Sequence, residues 1–171
     1  MVLGDQLLAA CAKDFSLDSA LTNPCHTSPT HHLGLNSYRP SYSADIANTV
    51  DCAMSPHIDH AYFTVVLQNE QGLQVQEEDG TWLSVPLLPD AVIAFLGDYL
   101  QRVTNGVYRT ATHRVGAVSA DRISIQYKHR PAYSTIVAPL EPYTSADTPA
   151  RYAPFDTGTQ YASLLQSRLN R

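Results

Sequence analysis

The stretch His57-Ile58-Asp59-His60-Ala61-Tyr62-Phe63-Thr64-Val65-Val66-Leu67-Gln68 sets the period of the chain around it. It follows Pro56, and from Ala61 onward it is β-branched and aromatic, the composition of a half-buried strand. In a strand the side chains at i and i+2 share a face. A strand opening at His57 therefore projects an imidazole and a carboxylate together from one edge of a sheet. Downstream, Gly72-Leu73-Gln74-Val75-Gln76 alternates, and Glu78-Asp79-Gly80-Thr81 supplies an Asp-Gly turn into Trp82-Leu83-Ser84-Val85. Ala91-Val92-Ile93-Ala94-Phe95-Leu96 and the segments 113–118 and 122–128 add further strands. Turn residues recur about every ten positions, the rhythm of a sandwich or barrel rather than of βαβ units.

Upstream the period is helical. Leu3, Leu7, Ala10 and Cys11 lie on one face of a helix expected over about 2–15. Residues 22–55 are rich in Pro, Ser, Thr, Asn and His and read as loop, a short strand at 33–38, and loop again. At the far end Tyr161, Leu164, Leu165 and Leu169 form the stripe of a helix over about 157–169. The expectation is one mainly β domain over 1–171, with a β-core at about 33–131 between two helices. At 171 residues a TIM barrel is excluded, and 44% apolar with 16% charged residues is a globular balance.

The net charge of −5 leaves no basic field for nucleic acid or an anionic membrane surface. There is no run of 18 apolar residues to span a bilayer. Cys11, Cys25 and Cys52 form no C-x-x-C pair and suit a reducing compartment, and the start reads poorly as a signal peptide. A cytoplasmic location is the expectation.

Three polar i, i+2 pairs fall in or beside predicted strands: Asn36 with Tyr38, His57 with Asp59, and Arg122 with Ser124. A further imidazole, His113, opens a strand. Two histidines and one carboxylate are the set that holds Fe(II) and leaves three positions open. Zinc is held more often by three protein ligands with one open site. Arg122 with Ser124 matches a different need, since a planar guanidinium grips a carboxylate bidentately and a neighbouring hydroxyl adds a donor. An acid that chelates iron at one end and is clamped by arginine at the other requires that arrangement. Solvated or capping polar residues remain the alternative for each residue taken singly.

The blocks His57–Gln68, Gly72-Leu73-Gln74-Val75, Gly97-Asp98-Tyr99-Leu100-Gln101-Arg102-Val103-Thr104-Asn105-Gly106, His113-Arg114-Val115 and Arg122-Ile123-Ser124, in this order, resemble the Fe(II)- and 2-oxoglutarate-dependent dioxygenases that include isopenicillin N synthase, anthocyanidin synthase and the gibberellin oxidases. The resemblance covers about 33–131. It implies a double-stranded β-helix, a jelly roll of the cupin type. It implies that His57, Asp59 and His113 are iron ligands and that Arg122 and Ser124 bind the distal carboxylate of 2-oxoglutarate, with Tyr38 and Asn36 beside them. The implied reaction consumes 2-oxoglutarate and O₂, releases succinate and CO₂, and hydroxylates, desaturates or rearranges a small molecule, in specialised metabolism.

Several features depart from the family. Where its members usually continue after the Arg-x-Ser with Pro and a run of Phe, this chain has Ile125-Gln126-Tyr127-Lys128-His129-Arg130. By strand parity Gln126 and Lys128 share the face of Arg122 and Ser124, which points to a polar or carboxylated substrate with Lys128 as its counter-ion, the alternative being a Lys128 at a fraying strand end in solvent. His60 reads as structural, His31 and His32 as solvated, and His129 has no evident partner. The family's long N-terminal half has no counterpart in these residues. Its covering role leads us to expect a homodimer through the terminal helices, or a partner chain over the exposed core. A catalytically silent ligand-binding member and a non-oxidative enzyme reusing the metal pocket remain the alternatives.

Overall fold

The structure is a computed structural model that describes residues 3–14, 28–40 and 52–169. Its elements in chain order are α1 (Leu3–Asp14), β1 (His32–Tyr38), β2 (Cys52–His57), β3 (Phe63–Gln68), β4 (Leu73–Gln76), β5 (Trp82–Ser84), β6 (Ile93–Leu96), α2 (Asp98–Val103), β7 (His113–Gly116), β8 (Arg122–His129), β9 (Ile136–Val137), β10 (Phe155–Asp156) and α3 (Thr157–Leu169). Cys25 lies outside the described residues.

Among the described residues two four-stranded antiparallel sheets carry the fold, a major sheet in the order β1-β8-β3-β6 and a minor sheet in the order β2-β7-β4-β5. β9 and β10 form a separate ribbon. Small apolar clusters join the sheets: Tyr38 of β1 meets Val115 of β7 and Val118, and Val66 and Phe95 of the major sheet meet Leu73 of β4. Each such buried side chain stabilises the sandwich by about 1.5–3 kcal/mol. The result is the expected double-stranded β-helix, a jelly roll.

The largest cluster lies at one side of this sandwich, where Leu8 and Ala12 of α1 pack with Tyr62, Phe63, Tyr99, Leu100, Val103 and Val137. The buried face of α1 therefore runs through Gly4, Leu8 and Ala12, with Leu7 and Cys11 at its border, whereas Leu3 and Ala10 point outward. Periodicity selected the larger side chains, but close approach selected the small ones. A Cβ at Gly4 would overlap the His129 ring beneath it.

Two further differences have local causes. The strand bearing His57 runs from Cys52 to His57 and includes Pro56, so His57 ends a strand instead of opening one, and Asp59 stands in the connection to β3. Pro56 is tolerated because, among the described residues, β2 is an edge strand, where a missing N–H breaks no ladder. The helix α2 is too short for a periodicity signal. Its first turn is built on the connection after Asp59: Gly97, Asp98 and Tyr99 donate backbone N–H groups to the carbonyls of Tyr62, Asp59 and Ala61. A Cβ at Gly97 would overlap the Ala61 carbonyl, so only glycine lets the two segments meet.

The C-terminal helix α3 occupies the expected span and is N-capped by Asp156, whose Oδ1 accepts from the Thr159 N–H at 2.8 Å. Tyr161 and Leu164 are partly buried, while Leu165 and Leu169 are exposed. Among the described residues no helix is long and apolar enough to cross a membrane.

Candidate metal centre and acid receptor

His57 and His113 face each other across the β2–β7 ladder as a register pair, with ring centroids 4.3 Å apart. The turn after β2 carries Asp59 to them, so that Oδ1 lies 3.8 Å from His57 Nε2 and Oδ2 lies 3.8 Å from His113 Nε2. One ligand atom from each residue falls within 4.8 Å of the others. Both Nδ1 atoms are turned to backbone carbonyls, His57 to Ser55 at 2.9 Å and His113 to Ala111 at 3.0 Å. An Nδ1–H committed to a carbonyl leaves Nε2 as the coordinating nitrogen. Burial lowers the His113 pKa, with Asp59 and the Ala111 carbonyl opposing it, so the ring is neutral at neutral pH. Phe95 lies against it at 4.5 Å between centroids.

Asp59 is buried, and burial by itself raises a carboxyl pKa. The Lys128 ammonium, 2.6 Å from Oδ1, and the Thr64 hydroxyl, 2.6 Å from Oδ2, outweigh that effect and hold the group below its ordinary range. Two imidazoles and an ionised carboxylate, converging on one point, fit a divalent iron with open positions.

The second part of the site lies on the inner face of the major sheet. Register places Tyr38 opposite Arg122, Asn36 opposite Ser124, Gly34 opposite Gln126 and His32 opposite Lys128. On the other side Gln68, Val66 and Thr64 of β3 stand opposite Ser124, Gln126 and Lys128. Arg122 is 1% exposed. Its Nε donates to the Glu70 carbonyl at 3.2 Å, its Nη2 to Gln68 Oε1 at 2.7 Å, and its guanidinium lies 4.9 Å above the Tyr38 ring. Its Nη1 and the Ser124 hydroxyl are buried with no hydrogen-bonding partner among the described residues. Unpaired buried donors on one face of one strand, one of them cationic, suit an incoming carboxylate. Burial raises the Tyr38 pKa and the Arg122 charge offsets part of that, so the phenol stays protonated. Its hydroxyl donates to Met54 Sδ at 3.8 Å.

All nine residues singled out in the sequence thus meet at the two sheets. His57, Asp59 and His113 form one group, Arg122, Ser124, Tyr38 and Asn36 the other, with Gln126 between them and Lys128 at the first. Two residues were missed, Thr64 and Gln68, which hold Asp59 and Arg122. Their signal was present, because both lie on the even-numbered face of the strand that follows the histidine. His60 is structural as expected: its Nδ1 stands 3.5 Å from Asp98 Oδ2, which also accepts from Arg102 Nε at 2.9 Å. His32 is exposed, but His31 and His129 are not solvated or solitary. Their rings stack at 4.5 Å beside Asp5.

The chain is 33% identical over 140 residues to thebaine 6-O-demethylase of Papaver somniferum, an alignment covering 80% of this chain and 36% of that protein. It is 35% identical over 120 residues to jasmonate-induced oxygenase 4 of Arabidopsis thaliana, covering 67% and 33%. The solved structure of JOX2 in complex with 2OG, Fe and JA superposes with a TM-score of 0.83 at 24% identity, covering 94% of this chain and 47% of that one. The chain spans about a third of the length of the two curated relatives. The family model described as the 2OG-Fe(II) oxygenase superfamily matches residues 29–131, a span that includes β1 to β8 and α2. By that match the chain belongs to the 2OG-Fe(II) oxygenase superfamily.

Proposed function

We propose that this chain is one catalytic domain, residues 1–171, that oxidises a small molecule with Fe(II), 2-oxoglutarate and O₂. The observation that carries the reading is the pairing of two sites across the sandwich, His57, Asp59 and His113 at one and the unpaired donors of Arg122 and Ser124 at the other. Bound iron would supply the oxidative chemistry, driven by decarboxylation of the oxoacid to succinate and CO₂. The protein's part is to bind and orient. His57, Asp59 and His113 hold the metal on one side. Arg122 and Ser124 receive the far carboxylate of 2-oxoglutarate, Tyr38 packs under the guanidinium, Asn36 flanks Ser124, and Gln68 fixes the fork of Arg122.

Lys128 and Gln126 are the substrate-facing residues of this reading. They occupy the same inner face as Arg122, and the Lys128 ammonium reaches the metal-binding carboxylate. Asp59 is already its counter-charge, and a polar or anionic group on the substrate is the further partner this reading gives it, so the substrate is polar or carboxylated. The relatives named as a demethylase and a jasmonate-induced oxygenase support specialised metabolism as the setting. The free thiol of Cys52 supports a reducing compartment, the cytoplasm.

Self-association is the remaining element. On the outer face of the major sheet Leu35, Ile125 and Leu67 form a register-aligned row, and all three are exposed. We infer that a second copy covers this row, in place of a seam through the terminal helices, because α1 already spends its apolar face on the core.

The Lys128–Asp59 ion pair also favours a second reading, a silent member that binds an anion without turnover. Anaerobic addition of Fe(II) and 2-oxoglutarate separates the two. The enzyme gives the visible charge-transfer absorption of the chelate and then forms succinate when O₂ is admitted. Neither signal appears if the chain is silent.

A further inference from the structure

β8 divides two environments. Its even-numbered side chains line the inner face, and its odd-numbered ones point outward, where Ile123 and Ile125 are exposed but His129 is 0% exposed beneath α1. His31, just before β1, lies on that outer side against His129, with ring centroids 4.5 Å apart and an interplanar angle of 25°. Asp5 of α1 completes the group, its Oδ1 3.6 Å from His129 Nε2. One ligand atom from each of Asp5, His31 and His129 lies within 4.8 Å of the other two.

We propose that Asp5, His31 and His129 form a second divalent-metal site, separate from the His57–Asp59–His113 group and suited to a borderline cation such as zinc. The donor set, two imidazoles and one carboxylate, matches that of the His57–Asp59–His113 group, and zinc accepts it with a fourth position left for water. Three separate segments supply it: a helix, the approach to an edge strand and the end of a central strand. The His129 ring is also fixed in position. Its Nδ1 lies 3.1 Å from the Tyr127 hydroxyl, which orients Nε2 toward Asp5. His31 Nδ1 accepts from the Arg130 N–H at 3.2 Å, a long contact that coordination by this ring exchanges for a bond to the metal. Gly4 brings α1 against His129 and so sets Asp5 over both rings. A cation here ties α1 to the major sheet at the edge of the largest apolar cluster. Its role is structural, and no step of the oxygenase reaction passes through it.

The test uses the full chain freed of metal and zinc(II) alone as the probe. Equilibrium dialysis with elemental analysis is expected to give one zinc for each cluster. His31→Ala loses the outer zinc, His113→Ala loses the inner one, and the double variant loses both. Asp5→Asn, a near-isosteric change at a partly exposed position, repeats the His31→Ala result and guards against a folding defect. In the His113→Ala chain, zinc about a hundredfold above its Kd raises Tm by about 5–10 °C, a shift absent once His31→Ala is added. The proposal is overturned if His113→Ala takes up no zinc, or if His31→Ala and Asp5→Asn bind as much as their parent. Loss of the inner zinc alone would count against the reading of the triad and leave this site standing.

Discussion

The two faces of β8 invert the usual order of a protein. Arg122 and Ser124 are buried on its inner face, and Gln126 and Lys128 are half-buried there, while Ile123 and Ile125 lie exposed on the outer one. Burying unpaired donors costs stability and exposing apolar side chains forfeits it, so neither face is explained by folding alone. The inner face makes sense if a carboxylate and a metal satisfy it, and the outer face if something covers it. The lesson is that a strand's two parities can answer to two different partners.

Breaking the inner face gives the largest expected effects. His113→Ala lowers iron-dependent succinate formation by more than about 100-fold, because even an outer-shell partner of a ligand is worth 10–100-fold. Iron retention after gel filtration checks it. Arg122→Lys keeps the charge and loses the fork. It raises the KM for 2-oxoglutarate by about 10–100-fold with metal content unchanged, the equivalent of one charged hydrogen bond. Lys128→Leu raises the KM for the organic substrate by about 10-fold and leaves that for 2-oxoglutarate alone. An unchanged substrate KM would remove Lys128 from the recognition of an anion.

Smaller effects sharpen the contrast. Asp98 sits behind the metal-binding turn, where burial raises its pKa but His60 and Arg102 hold it below the ordinary value. A depressed folded pKa contributes stability that is complete above the unfolded value of about 4 and is lost as pH falls through the folded one. Asp98→Asn should therefore flatten the loss of stability below about pH 4, read from urea midpoints. The smallest effect belongs to the outer face. Ile125→Lys leaves Tm within a few degrees, as expected of an exposed position, and shifts light scattering at high concentration toward monomer. A wild-type chain already monomeric there would refute the covering by a second copy.

Much of the site was legible in the sequence because strand parity is a strict rule. Arg122 with Ser124, and Asn36 with Tyr38, share a face in any strand, and the register confirms that they share the same one. Parity was also applied where it does not hold. His57 and Asp59 meet because a chain leaves an edge strand and turns back, a path that α2 and Gly97 fix from forty residues downstream. The face of α1 was misplaced for a related reason: composition marks which residues are apolar, whereas the partner surface decides which can come close. His31 and His129 illustrate the limit most clearly, since 98 residues separate them in sequence and only strand pairing makes them neighbours.

The sequence by itself determined the β-rich class, the terminal helices and the choice of candidate site residues, because periodicity and residue type are local properties. Tertiary structure alone decided that Lys128 reaches Asp59, that Gln68 and Thr64 support Arg122 and Asp59, and that Asp5 joins two histidines beneath a helix. These contacts join residues far apart in the chain, and their distances depend on how two sheets and a helix pack, which no local pattern encodes.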